Sequence, residues 1–504
     1  MSWKLLPGDR RERAGVLLLL IALAAGTILR FFRLGARELS IDESLSWAES
    51  SGHNIKAVLH MQHQLDSGKF PIYELAQHEW MKLFGESEAA MRALPALIGS
   101  LSIVLVFILA VEVLLAAAGG RTEPSPAELR PAASPVKYEE SRIYIVAALC
   151  ALLFAVGLPS VEIARQARMY SMMEAWILAQ VIFIFRARRL GGFANYAGIA
   201  VFSAIAVATN FTAAVVIVAE ALWLIYLYVA DSDALDGAAV NRSRVLRMGV
   251  ALFAAMLLLL PFFAALRYGV QGVERGDYDW IKMPGRWEPF ATFESALGTY
   301  PFPLFAVFAI AGAVRLWRAH RDEAVLLILW IVAPPLILFA GSYLVTPMLV
   351  TRYLISSFVP LFILTAIGIE SIPSRQYRSA AIVAIAGLCV LRASSDFRRG
   401  DDRWHDACEM ALHDAGPQHR VGTYNQFFMV EYYMPESERS IVKIVRIPFE
   451  GAERKAPRVV ILSPTVPPAD VTEILRQYPL VAGKYKNVLV VSRPEPAFRP
   501  ASPN

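Results

Sequence analysis

Charge and cysteine are what this sequence has least of. Only 18% of its 504 residues are Asp, Glu, Lys or Arg, whereas a soluble domain averages about 25%. A single water-exposed globule is therefore excluded. The three cysteines, Cys150, Cys389 and Cys408, are too few and too scattered for a disulfide framework or a thiolate metal site. No internal repeat is visible. The pI near 9.0 does not mark a nucleic-acid partner, because Lys and Arg cluster beside apolar blocks, where they set membrane orientation.

What the chain does have is hydrophobicity, 56% of residues, with a mean hydropathy of +0.45. It falls in blocks of about 18–22 residues, the length that crosses a bilayer core as a helix. The predicted fold class is mainly α: a polytopic transmembrane helical protein of about eleven spans with a small C-terminal α/β soluble domain. The blocks lie at 14–32, 93–118, 142–158, 170–185, 194–230 (split at Thr209-Asn210), 248–266, 296–314, 324–344, 353–369 and 379–391. The last is the shortest. The first follows Lys4, Arg10, Arg11 and Arg13, and no small-residue cleavage site clearly follows it, so it reads as an uncleaved span.

The membrane domain is expected over 1–392 and the soluble domain over 393–504. Arg-rich loops alternate along the chain, so the positive-inside rule puts the N-terminus in the cytoplasm. The two long polar loops, 33–91 and 267–295, then fall outside an inner (plasma) membrane; an odd span count puts the tail outside with them, and without 379–391 as a span the tail is inside. In the tail, 421–424, 441–447, 459–462 and 485–492 read as strands and 471–477 as a helix.

Candidates for chemistry gather on that outer face. Glu38 to Ser50 reads ELSIDESLSWAES. Ser40 and Glu43 have capping-box spacing, and Asp42 falls in the first turn of the helix they would start. The same loop carries His53, His60, His63, Asp66, Lys69 and Tyr73; the link after the third span carries Glu162, Arg165, Arg168 and Tyr170; a later link carries Thr351, Arg352 and Tyr353. Ionisable groups at a bilayer rim are often only anchors. Acids and cations converging beneath a soluble domain suggest more. Arg398, Arg399, Asp401 and Asp402 read as a solvated juxtamembrane segment.

Several motifs occur in order: the Asp42-Glu43 pair, GKFPIY at 68–73, LFGESEAAMRALPALIG at 83–99, EIARQARMYS at 162–171, TRY at 351–353 and DDRWHDA at 401–407. Together they resemble the family 39-like glycosyltransferases of the GT-C class, which include protein O-mannosyltransferases and the lipid A aminoarabinose transferase. The resemblance implies transfer of a sugar from a polyprenyl-phosphate carrier to an acceptor hydroxyl at the outer face. It implies that Asp42 is the base for the acceptor, with Glu43 supporting it and Glu162 as the second acidic position. It implies that Lys69, Arg168 and Arg352 meet the carrier phosphate, beside Tyr73. The acceptor could be a glycan, a lipid or a protein; membrane lipids are the other expected partners, and no nucleic acid is. One acid with several cations suits a phosphate leaving group better than the two carboxylates of a typical glycosidase.

The sequence departs from many relatives at Phe70, Glu74 and Ser44. No cofactor is expected: His60 and His63 could share a helix face and hold a divalent ion, but they lack a clear third ligand. Two other readings remain. A transporter or flippase of lipid-linked substrates would pair charges at mid-bilayer and show repeats and broken helices. A scaffold displaying the tail would give Asp42, Lys69, Arg168 and Arg352 no reason to meet.

Overall fold

A computed structural model describes residues 10–66, 69–119, 140–230, 238–262, 281–397, 402–415, 420–424, 426–439, 443–446, 456–463 and 466–493. The first span is α1 (Arg10–Phe31). Three helices follow that are too short to cross a membrane: α2 (Ile41–Ser50), α3 (Ile55–Leu65) and α4 (Ile72–Phe84). Next come α5 (Glu88–Gly119), α6 (Glu140–Val156), α7 (Leu158–Ala164), α8 (Tyr170–Leu190), α9 (Phe193–Thr209), α10 (Ala214–Ala230) and α11 (Ala238–Leu258). The membrane part closes with α12 (Glu288–Leu297), α13 (Pro301–Ala319), α14 (Arg321–Leu344), α15 (Phe358–Glu370) and α16 (Arg375–Asp396).

The described residues of the expected apolar blocks are mainly helical, with a break in the 296–314 block at 298–300. Among the described residues eight helices are long and apolar enough to cross a membrane, or nine if one bent pair is a single span. The protein is a multi-pass integral membrane protein. The difference from eleven has physical causes. Helix α9 is apolar but only 17 residues long. Helix α11 carries Arg242, Arg244 and Arg247 in its first half, and the expected block 248–266 that it opens runs beyond residue 262, outside the described residues. The 379–391 block extends into α16, which spans 22 residues. The split at Thr209-Asn210 is a 3-10 turn, Phe211–Ala213, with Asn210 as its cap.

The bent pair is α6–α7, which turns by 57°. Pro159 has no N–H to offer the carbonyl of Ala155, so the helix cannot continue through it. That carbonyl instead accepts the Arg30 guanidinium at 2.9 Å. The break turns α7 aside and carries Glu162 and the following loop to the rim of the bundle.

The centre of the bundle is the Thr351–Glu370 segment, whose most apolar window is wholly buried. It crosses α13 at backbone distance. A Cβ at Gly312 would lie 1.9 Å from the Leu364 carbonyl oxygen, and one at Gly368 would lie 1.9 Å from that of Phe308. Small residues at such crossings let dispersion forces hold helices together where lipid leaves no hydrophobic drive.

The tail holds α17 (Trp404–Ala415), β1 (Arg420–Thr423), α18 (Phe427–Tyr433), α19 (Glu436–Arg439), β2 (Lys443–Arg446), β3 (Val459–Leu462), α20 (Pro468–Gln477), β4 (Leu480–Tyr485) and β5 (Val488–Ser492). Its sheet has the order β2-β1-β3-β5-β4. The first three strands are parallel, and β5 and β4 form an antiparallel hairpin. The expected strand at 485–492 is thus the second arm of that hairpin. Its first arm went unread because β4 is an edge strand with no buried residue, so selection for an apolar face is weak there.

The tail is docked on the segment after α1. Trp404, Ala407 and Cys408 of α17 and Tyr432 and Tyr433 of α18 share one apolar core with Trp47 and Ala48 of α2, Met81 and Met91. The tail and α2 therefore lie on the same face of the bundle.

Candidate active site

Helix α2 starts on a complete capping box. Ser40 Oγ accepts the Glu43 N–H at 3.3 Å, and Glu43 Oε2 accepts the Ser40 N–H at 2.8 Å. Glu43 is more than a cap. Arg92 donates to both its carboxylate oxygens, at 2.7 and 2.9 Å, and Oε1 also accepts the Ala167 N–H at 2.9 Å. Burial pushes the Glu43 carboxyl up, but the hydrogen bonds and charge of Arg92 outweigh it and hold the group below the usual carboxylate range. Arg92 reaches further, to the carbonyls of Leu34, Arg37 and Glu38. One buried guanidinium thus ties the loop entering α2 to α5.

With the first turn held, Asp42, Ser46 and Glu49 form one face of α2, at spacings of four and three residues. A cation stands at each level. Arg352 pairs with the Asp42 carboxylate. Arg168 donates to Ser46 Oγ at 2.9 Å and to the Asp42 carbonyl at 3.0 Å. Lys69 pairs with Glu49 at 2.9 Å. The three cations expected from separate segments are therefore aligned along a single helix.

Lys69 is buried among acids. It also pairs with Glu74 at 2.8 Å and Asp66 at 3.2 Å. Burial works to lower its pKa, but Glu74, Glu49 and Asp66 overturn that and raise it. Burial raises Glu49 in turn, to about 8, against the pull of Lys69 and with the repulsion of Glu74 and Asp66. Tyr73 is buried beside this cluster; burial first, then the charge of Glu74, raises its phenol well above the usual value.

A cavity of about 540 Å³ opens beside the upper end of α2, between the bundle and the tail. Asp42, Glu43, Glu162 and Arg352 all line it, with Arg37, Arg165 and, from the tail, Asp402, Trp404 and Lys486. The Asp42 side chain is 41% exposed there. Lys69, Arg168 and Tyr73 do not line it; Arg168 touches it only through Asp42. His60 and His63 lie on the exposed side of α3, and among the described residues no three His, Cys, Asp or Glu side chains gather as a metal ion needs. Residues 267–280 of the second long loop lie outside the described residues.

The sequence reading missed several of these contributors. Asp402 was expected to be merely solvated, yet it borders the cavity because the tail folds back over it. Arg92 lay inside a quoted motif without an assigned role. Glu49 had a usable signal, its spacing of seven residues from Asp42. Glu74 appeared only as a departure from the family pattern.

The structure has known counterparts. ArnT from Cupriavidus metallidurans bound to undecaprenyl phosphate superposes with a TM-score of 0.59 at 12% identity, covering 95% of this chain and 97% of that one. The chain shares its fold with ArnT. The archaeal oligosaccharyltransferase AglB from Archaeoglobus fulgidus, in complex with an inhibitory peptide and a dolichol-phosphate, matches at 0.54 with 12% identity, covering 92% of this chain and 70% of that one. The arabinofuranosyltransferase AftD from Mycobacteria matches at 0.51 with 12% identity, covering 95% of this chain and 40% of that one. No family model and no curated protein matches the sequence. The resemblance to GT-C glycosyltransferases drawn from the ordered motifs is thus borne out at the level of the fold.

Proposed function

We propose that the protein is an inverting glycosyltransferase that moves a sugar from a polyprenyl-phosphate carrier to an acceptor hydroxyl at the outer face of the plasma membrane. The observation that carries this reading is the Asp42–Arg352 ion pair on the cavity wall, in a fold shared with a protein bound to undecaprenyl phosphate. An acid and a cation side by side are what the reaction needs: a base for the acceptor and a counter-charge for the phosphate.

On this reading the Asp42 carboxylate takes the proton of the acceptor hydroxyl. The acceptor oxygen bonds to the anomeric carbon as the bond from that carbon to the carrier phosphate oxygen breaks. The phosphate leaves with the electron pair, and displacement from the opposite face inverts the centre. Arg352 holds the developing negative charge, with Arg168 one turn behind it. A carboxylate has about four acceptor positions, so Asp42 can keep Arg352 and still receive a hydroxyl. Glu43, whose oxygens are engaged by Arg92, Ala167 and Ser40, positions Asp42. Glu162 faces the same cavity and suits hydrogen bonding to sugar hydroxyls. Lys69 and Tyr73 lie deeper along α2, where Lys69 is held by Glu49, Glu74 and Asp66. The outer-face orientation rests on the alternation of Arg-rich loops.

The test is transfer of label from radiolabelled polyprenyl-phosphate sugars by purified wild type and Asp42→Asn. Asp42→Asn should lose about 10²–10⁴ in rate. Equal transfer by both would remove Asp42 as the base. No transfer by wild type across a panel of donors and acceptors would remove the enzyme reading.

A further inference from the structure

A second cavity, of about 650 Å³, adjoins the first. Glu38 lines both. Its position is fixed: its two oxygens accept the N–H groups of Trp404 at 2.9 Å and His405 at 3.0 Å at the start of α17. The rest of the second cavity comes from His405 of α17, from the α4–α5 junction (Glu86 and Glu88) and from α18 and the segment after it (Tyr432, Tyr433 and Arg439).

Carboxylates predominate on these walls. Three carboxylates, Glu38, Glu86 and Glu88, border the space. One guanidinium, Arg439, and the His405 imidazole share these walls; Arg439 keeps its charge while donating to the carbonyls of Met434 at 3.1 Å and Tyr432 at 2.7 Å and lying 5.5 Å over the Trp47 ring, and the three carboxylates outnumber it. Glu86 and Glu88 are held in place by aromatic partners. Trp47 Nε1 donates to Glu86 Oε2 at 2.9 Å, and the Tyr433 hydroxyl donates to Glu88 Oε1 at 3.2 Å. Fixed carboxylates beside tyrosines suit a polyhydroxylated ligand, whose hydroxyls donate and whose ring carbons pack on the aromatic edges. They favour a ligand that also carries positive charge and oppose one carrying negative charge.

We propose that this second cavity is an acceptor subsite for a glycan bearing protonated amines, and that the acceptor reaches Asp42 past Glu38. The acceptor assignment rests on the transferase reading above; the binding itself does not. Its ligand class is opposite in charge to the carrier phosphate that the α2 cations would take.

The experiment uses the full chain in detergent, without donor, and follows binding by titration calorimetry. Three probes of equal length are compared: a glucosamine tetramer, its N-acetylated form and a tetragalacturonate. The glucosamine tetramer should bind at least about tenfold more tightly than the galacturonate, with the acetylated form between them. In the Glu86→Gln/Glu88→Gln double variant that ratio should collapse towards one. Gln keeps an oxygen for Trp47 and Tyr433, and an unchanged thermal midpoint shows that the fold is kept. The proposal is overturned if the galacturonate binds as tightly as the glucosamine tetramer, if none of the three binds, or if the ratio survives in a folded double variant. Since no transfer is measured, failure of the transferase reading would not mimic any of these results.

Discussion

Arg92 and Glu43 meet through two parallel hydrogen bonds, Nε to Oε1 at 2.7 Å and Nη2 to Oε2 at 2.9 Å, both side chains buried. This pair fixes the turn that presents Asp42. Removing one partner of a buried pair strands the other charge, at about 3–5 kcal/mol. Arg92→Ala should therefore lower the thermal midpoint of the purified protein sharply, and Arg92→Lys, which cannot reproduce the fork, should lie between. A midpoint unchanged in Arg92→Ala would mean that the pair contributes nothing net.

The two glutamates of α2 respond to pH with opposite sign. Glu49 is raised to about 8, so between the ordinary carboxyl value of 4.5 and that point the folded state keeps a proton the unfolded chain has lost. Stability falls as pH rises through this window. Glu43 is lowered; its contribution is present above the ordinary carboxyl value and is lost as pH falls through its folded value. We expect the thermal midpoint to decline from about pH 5 to pH 8 and the decline to flatten in Glu49→Gln. An equally steep decline in that variant would assign it to another group.

Arg352 bears on the leaving group under the proposed function. Arg352→Gln should reduce kcat by about 10²–10³, while Arg352→Lys keeps a charge and loses less. Steady-state kinetics with labelled donor give both values. An unchanged kcat with only a raised KM would assign Arg352 to ground-state binding alone.

The crossing of α13 and α15 can be tested apart from chemistry. Gly312→Val should abolish a monodisperse fold, since even a Cβ there would lie 1.9 Å from the Leu364 carbonyl oxygen. Gly387→Ala is the control, because nothing lies within 4 Å of a Cβ there. Size-exclusion profiles in detergent compare the two. A normal profile for Gly312→Val would mean that the helices can separate without loss.

Local physics made part of this protein legible from sequence. Apolar blocks of bilayer length must become helices, because in lipid each backbone group needs an internal partner; hence the bundle. The Ser40–Glu43 box is a four-residue signal, and it formed as its spacing requires. The ordered motifs led to the right fold class. Tertiary structure decided the rest, because charges act through space. Asp42 and Arg352 are separated by 310 positions and touch. Lys69 shows its positive charge in sequence but not the three carboxylates that enclose it, two of which come from neighbouring helices. Glu43 looked like a partner in chemistry until Arg92, 49 positions away, was seen holding it. The cavity itself, and the second one beyond Glu38, exist only because the tail folds back on α2, and burial of Trp47 against Tyr432, ring centroids 5.3 Å apart, is a packing event that no local pattern encodes.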